Sequence, residues 1–237
     1  MKPIVELDNI KGVEQTERAR RSQMYRFLAE SFRYPETEFL KMVKDGEYLK
    51  YVLALLHDLP YEVAVEEGAL SGQLLKNVSQ EDFEAEFVRV FDAGPGGPPC
   101  PLYEGKYAGN RMGNMEELVR FYNNFGLSVA EAPERELPDH VTTQLEFMHY
   151  LTFKEVIALQ RNEDITPYVF AEIDFLKRHP ARWLPELHRK AEKVLASRKV
   201  PNLCEAAVSF YCGVIGLAAN VCAGDLQHLQ RLHPDRN

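Results

Sequence analysis

Apolar residues recur at three- and four-residue intervals along most of the chain, and strict alternation of apolar and polar residues is scarce. That period predicts an all-α protein. Residues 16–33 carry Met24, Phe27, Leu28 and Phe32 on one stripe, and Tyr34-Pro35 stops the helix because proline cannot donate a backbone hydrogen bond. Residues 36–57 read as two helices broken near Gly46. Residues 79–91 open with Ser79-x-x-Asp82, a variant capping box, and turn Phe83, Phe87, Val90 and Phe91 inward. Further helices are predicted over 114–125, 139–162, 166–178, with Pro167 in the first turn, and 181–198.

The run 206–224 contains no charged residue and follows a capping pattern, Asn202-x-x-Glu205. Its length raises the question of a membrane span. Ser209, Tyr211 and Asn220 would need partners in lipid, however, and several glycines and alanines dilute the apolar character. The expected role is therefore a central helix buried on nearly all sides. Together these patterns predict a single globular helical-bundle domain spanning residues 1–237, with about eight to eleven helices around one apolar helix. No internal repeat is evident. The segment AGPGGPPCP, residues 93–101, is its longest clear loop, since proline and glycine oppose helix continuation.

The 237-residue length and 45% hydrophobic content suffice for a core without disulfide or metal staples. A formal net charge of −8 argues against nucleic-acid binding and favours cationic partners. Four cysteines without a Cys-x-x-Cys pair suit a reducing cytoplasm and read as small apolar residues. The opening MKPIVELDNIKG lacks the basic flank and apolar centre of a secretory signal, so a cytoplasmic location is expected. Seven histidines form no His-x-x-x-His pattern, and His140 and His149 fall on opposite faces of their helix, so no metal is expected. A nucleophile elbow is absent, and Gly105-Lys106-Tyr107, with Cys100 at the first glycine's place, is not a Walker motif.

The most informative stretch is ELPDHVTTQLEFM, residues 136–148. Val141, Leu145 and Met148 form a buried-type stripe behind a turn holding Glu136, Pro138, Asp139 and His140. Two readings stay open: Asp139 is the N-cap of the helix with His140 beside it at the surface, or the carboxylate and imidazole form a rim that faces a ligand. A second candidate pair, Tyr103-Glu104, follows the loop stiffened by Pro98, Pro99 and Pro101. It either presents an aromatic ring and a carboxylate at low ordering cost or packs the loop on the domain through Tyr103 and Tyr107. Glu86 and Arg89 read as a structural pair and Trp183 as a core anchor.

Several segments in order along the chain resemble the TorD/DmsD/NarJ family of redox enzyme maturation chaperones. They are MYRFLAESFRYP at 24–35, FEAEFVRVFDAGPGGPPCPLYEGKY at 83–107, ELPDH with LEFM at 136–148, and DFLKRHPARWLPEL at 174–187. The second resembles the family's Glu-x-x-Arg-x-Phe helix and Pro-x-Tyr-Glu loop, and the last its Phe-Leu-x-x-His and Trp segment. In place of the commoner Glu-Pro-x-Asp-His turn, Leu137 takes the proline slot and Pro138 the variable one, which alters the restraint on the local backbone. The resemblance implies a TorD-like all-α fold and a cytoplasmic chaperone, not an enzyme. Its partners would be the signal peptide and apo catalytic subunit of a molybdopterin oxidoreductase, held before export. It leans towards the branch serving nitrate-reductase-like and dimethylsulfide-dehydrogenase-like enzymes. Tyr103, Glu104, Glu136, Pro138, Asp139 and His140 are the expected client-peptide-binding residues, with Glu134, Glu136 and Asp139 as carboxylates for arginine. The resemblance also implies a less supported reading, guanine-nucleotide binding; no other cofactor is expected. Monomer and homodimer both stay open. The rival classes are an all-α hydrolase using Asp139 and His140, and a structural accessory subunit of a redox complex.

Overall fold

The computed structural model describes residues 13–93, 96–128, 136–197 and 204–236. Among these, regular structure is helical, and the only bridge of β type is an isolated antiparallel contact between Tyr103 and His140. The α-helices in order are α1 (Val13–Ser31), α2 (Thr37–Lys44), α3 (Glu47–His57), α4 (Glu67–Leu70), α5 (Gln80–Phe87), α6 (Arg111–Asn124), α7 (Val141–Gln160), α8 (Thr166–Arg178), α9 (Pro180–Ala196) and α10 (Glu205–Leu232).

Local chemistry sets most of the breaks. Gly46 has φ of +79°, a left-handed conformation that admits glycine without strain, and it separates α2 from α3 as the sequence predicts. Ser79 caps α5 by accepting the Asp82 amide at 3.0 Å. Beyond α5 the same helix loosens into a π-helical turn, Val88–Asp92, which brings Val90 and Phe91 into the core. Pro180 cannot continue α8, so α8 and α9 are parted only by His179. α6 starts three residues earlier than the apolar pattern indicates, because Asn110 caps it by accepting the Gly113 amide at 3.1 Å.

α10 is the central helix. By length and composition it could cross a membrane, with mean hydropathy 1.7 over its most apolar window, yet 78% of that window is buried inside the protein. It packs along α9 and also meets α8, α5 and α4. Glycines permit this closeness: a Cβ on Gly216 would stand 2.8 Å from His188 Nε2, and one on Gly213 would stand 2.8 Å from Ala69 Cβ. Asn202, read as the cap of this helix, lies outside the described residues, as does the opening segment 1–12. Phe39, Tyr48, Phe83, Phe210 and Tyr211 form a contiguous aromatic cluster beside the first half of α10. Cys100, Cys212 and Cys222 are buried with their thiols free, in keeping with their reading as small apolar residues.

α1 lies along α7, and their contact with α8 and α10 encloses a charged cluster. Arg21, 2% exposed, donates from Nε to Asp225 Oδ1 at 2.7 Å and from Nη2 to Asp225 Oδ2 at 3.0 Å. It also donates to Glu172 and reaches Glu155, which Arg18 bonds as well. Tyr25 donates to Asp225 Oδ2 at 2.7 Å. Burial holds the Glu172 carboxyl well above the usual carboxylate range against the opposing pull of Arg21, and the neighbouring Glu155 raises it further. The cluster therefore ties four helices together through groups that are costly to leave unpaired.

Candidate functional site

The turn at residues 136–140 is fastened to the Tyr103-Glu104 loop by its backbone. Glu104 N donates to Asp139 O at 2.9 Å and Val141 N to Leu102 O at 2.9 Å, flanking the bridge between Tyr103 and His140. Tyr122 of α6 reaches across to donate its hydroxyl to Pro138 O at 2.8 Å. Two stretches over thirty residues apart thus become one unit.

Beneath this junction the polar side chains are interior. Glu104 is 0% exposed; its Oε2 accepts from Gln144 Nε2 at 2.6 Å and lies 3.0 Å from His179 Nδ1. A carboxylate here only accepts, so Nδ1 is the nitrogen that carries the proton. Gln144 passes the network on, its Oε1 accepting from Trp183 Nε1 at 2.9 Å. The Trp183 indole stacks on Tyr107, with ring centroids 5.4 Å apart, while the Tyr107 hydroxyl donates to Pro101 O at 3.0 Å. Trp183 is the core anchor its sequence context predicts, and Tyr107 packs the loop.

Asp139 is also 0% exposed, and its carboxylate accepts the Gly105 amide at 3.2 Å rather than an amide of α7. Burial raises its pKa, opposed by that amide and by Arg111, whose Nε stands 4.0 Å away. A Cβ on Gly105 would lie 2.6 Å from Arg111 Cγ and 3.0 Å from Asp139 Oδ2, so this close approach requires glycine. The N-cap of α7 is His140, whose Nδ1 accepts the Thr142 amide at 3.3 Å. This corrects the reading of Asp139 as the cap and of His140 as a surface neighbour. Asp139 turns away because the Gly105 amide competes for it, and His140 is left in the extended conformation that a cap needs.

His140 is buried, and that burial pushes its pKa down to about 4, with Glu136 pulling the other way. A neutral ring with its proton on Nε2 matches an accepting Nδ1. Because the folded pKa lies below the ordinary value of about 6.5, the unfolded chain takes up this proton first. The contribution is complete above pH about 6.5 and is lost as pH falls towards 4. His140→Asn, which can cap but cannot titrate, should therefore gain stability relative to the natural chain as pH is lowered through that window. Urea melts at several pH values check this; a pH-independent difference would show that His140 does not titrate there.

Among the described residues, two of the sequence candidates, Tyr103 and Glu136, stand at the surface. Tyr103 is partly exposed and donates its hydroxyl to Glu136 Oε2 at 3.1 Å, and the Glu136 side chain is 51% exposed. Burial, reinforced by Glu136, raises the Tyr103 phenol to about 12, so it stays a donor at neutral pH. Its ring meets that of His140 edge to face at 4.9 Å. Pro138, like Glu104, Asp139 and His140, is buried. Glu134 lies outside the described residues. The partners of Glu104 come from distant segments: Gln144 lies on an otherwise apolar face of α7, the one signal that marks it, whereas His179 stands between α8 and α9, where no such pattern marks it. Glu86, buried, bonds Arg89 at 3.0 Å and accepts the Cys204 amide at 3.0 Å, a structural pair as expected. Among the described residues no group of three or more His, Cys, Asp or Glu is placed to hold a metal ion.

An all-α bundle with this interlocked loop and turn has a family. Residues 57–189, more than half of the chain, match the nitrate reductase delta subunit family, and the chain belongs to it. Among individual relatives, the perchlorate reductase assembly chaperone protein of Dechloromonas aromatica (strain RCB) is 34% identical over 193 residues, covering 80% of this chain and 86% of that one. The selenate reductase assembly chaperone protein of Thauera selenatis is 40% identical over 117 residues, 48% of this chain and 60% of that one. The dimethyl sulfide dehydrogenase assembly chaperone protein of Rhodovulum sulfidophilum is 31% identical over 168 residues, 66% of this chain and 63% of its own. The last two are thus matched over less than two thirds of their length.

Proposed function

We propose that this chain is a system-specific assembly chaperone in the cytoplasm. It binds the apo catalytic subunit of a molybdopterin oxidoreductase, through an N-terminal signal peptide where the client has one, and assists cofactor insertion before export. Family membership and relatives named as assembly chaperones support the class. The observation that carries the site is the surface pair Tyr103 and Glu136, joined at 3.1 Å above a buried polar scaffold. An aromatic ring beside an exposed carboxylate suits an arginine of the client, and the scaffold holds both in place before binding. Direct contact is assigned to Tyr103 and Glu136; Glu104, Pro138, Asp139 and His140 position them. This action needs no bond-making chemistry. The hydrolase alternative is less well supported, since the Asp139 carboxylate is committed to Gly105 and His140 Nδ1 to Thr142, both inside the protein.

The test is fluorescence anisotropy with an arginine-bearing N-terminal peptide of the client. Because Glu136 is half exposed, Glu136→Gln should weaken binding only about 2- to 5-fold. Glu136→Lys, which sets like charges together, should weaken it more than about tenfold. Unchanged affinity in Glu136→Lys combined with Tyr103→Ala would remove this rim from the binding surface.

A further inference from the structure

In addition to the Tyr103 and Glu136 rim, the end of α6, the middle of α7 and α8 from Pro167 to Asp174 enclose an open groove of about 630 Å³. Its walls are aromatic. Phe125 lies 5.9 Å from Tyr168 and 6.5 Å from Tyr150 between ring centroids, and Phe121 continues the wall one turn back along α6. These four rings are partly exposed rather than buried, so the groove offers ring surface to solvent.

Carboxylates mark its two ends. Asp164 stands just before α8, and Asp174 lies on α8 about 15 Å further along. The nearby cations are already engaged: Lys154 Nζ sits 5.6 Å from the Tyr150 ring centroid, and Arg178, close to Asp174, donates to Glu117 at 2.7 Å. Of the ionisable side chains that line the groove, Asp164 and Asp174 are acids and Lys154 is a base, and Asp174 also interacts with Arg178 beside it. Aromatic faces beside carboxylates attract guanidinium more than ammonium, since guanidinium also stacks.

We infer that this groove is a second docking site for the client polypeptide, taking an extended, arginine-bearing segment whose apolar side chains lie on Phe125 and Tyr168 while a guanidinium reaches Asp164. The span between the aspartates fits about four or five extended residues. This inference rests on the chaperone reading above and adds a surface to it.

The probe is a synthetic fluorescein-labelled peptide with two adjacent arginines followed by leucines, alongside a copy in which citrulline, neutral and of similar shape, replaces both arginines. The double variant Asp164→Asn/Asp174→Asn keeps an acceptor at position 164 for the Thr166 amide, which Asp164 holds at 2.9 Å, so the fold should survive. It should weaken the arginine peptide about 5- to 20-fold and the citrulline peptide less than about twofold. Tyr168→Ala should weaken both. Full affinity in these groove variants together with loss in Glu136→Lys would overturn the groove and leave the rim assignment standing. A wild-type chain that ignores the peptide yet binds the apo client subunit would also overturn the groove alone, whereas failure to bind either would overturn the chaperone reading as well. A dimer in sedimentation that the groove substitutions dissolve would identify a second copy as the occupant and overturn the inference.

Discussion

Replacing Arg21 with methionine is expected to lower the unfolding free energy by about 3–5 kcal/mol at pH 7. The side chain is 2% exposed and is the shared partner of Asp225, Glu172 and Glu155, all 0% exposed. Methionine fills most of the volume but leaves three acids facing one another with Arg18 as a remaining cation. The pH dependence follows from Glu172, whose folded pKa already lies above its unfolded value. A raised carboxyl binds its proton more tightly in the folded chain, so stability falls as pH rises above the ordinary carboxylate range of about 4. Losing Arg21 raises that pKa further, so the gap between variant and natural chain should widen from pH 5 to pH 7. Adding Glu172→Gln to the Arg21→Met variant should recover part of the loss. Urea melts of the three proteins decide the matter, and a loss under about 1 kcal/mol would mean that water reaches the cluster.

The second large effect is expected at Glu104. Glu104→Ala should cost about 2–4 kcal/mol, because Gln144 Nε2 and His179 Nδ1 both lose their acceptor inside the protein. Glu104→Gln keeps one acceptor oxygen but turns an amide NH₂ towards another donor, so a smaller cost of about 1–2 kcal/mol is expected. The order of the two variants carries the argument. If alanine were no worse than glutamine, the residue would not be anchoring the loop. Because Tyr103 precedes Glu104 directly, amide exchange in the 103–107 segment should quicken in the alanine variant even where the rest of the fold stays protected.

Much of this fold is legible in residues close together in sequence. Gly46, Ser79, Pro35 and Pro180 set helix boundaries through their own backbone chemistry, and the uncharged run in α10 announces its burial. The cluster around Arg21 is not local: Asp225 lies 204 residues away, and nothing in either neighbourhood points to the other. A subtler signal exists, since Arg21 shares the stripe of Met24, Tyr25 and Leu28, and a charge on an apolar face must find a partner or unfold the helix from its neighbours. The same applies to Gln144 between Val141 and Leu145. For the candidate site the sequence marks the segments but not the burial of their residues: a carboxylate and imidazole at a helix mouth look alike whether they face solvent or support a loop, and only packing separates Glu136 from Asp139. Competition for the Gly105 amide, which hands the cap to His140, is a tertiary event that residue preferences at helix ends do not encode.

An assembly chaperone and a permanent accessory subunit share a fold and a partner, and they differ in when the partner is held. The direct measurement is size-exclusion chromatography with native mass spectrometry on this chain mixed with its client catalytic subunit, prepared once without the molybdopterin cofactor and once fully matured. The chaperone account predicts a complex with the apo subunit that dissolves once the cofactor is in place. A complex of fixed stoichiometry with the mature enzyme, as stable as that with the apo form, would contradict it.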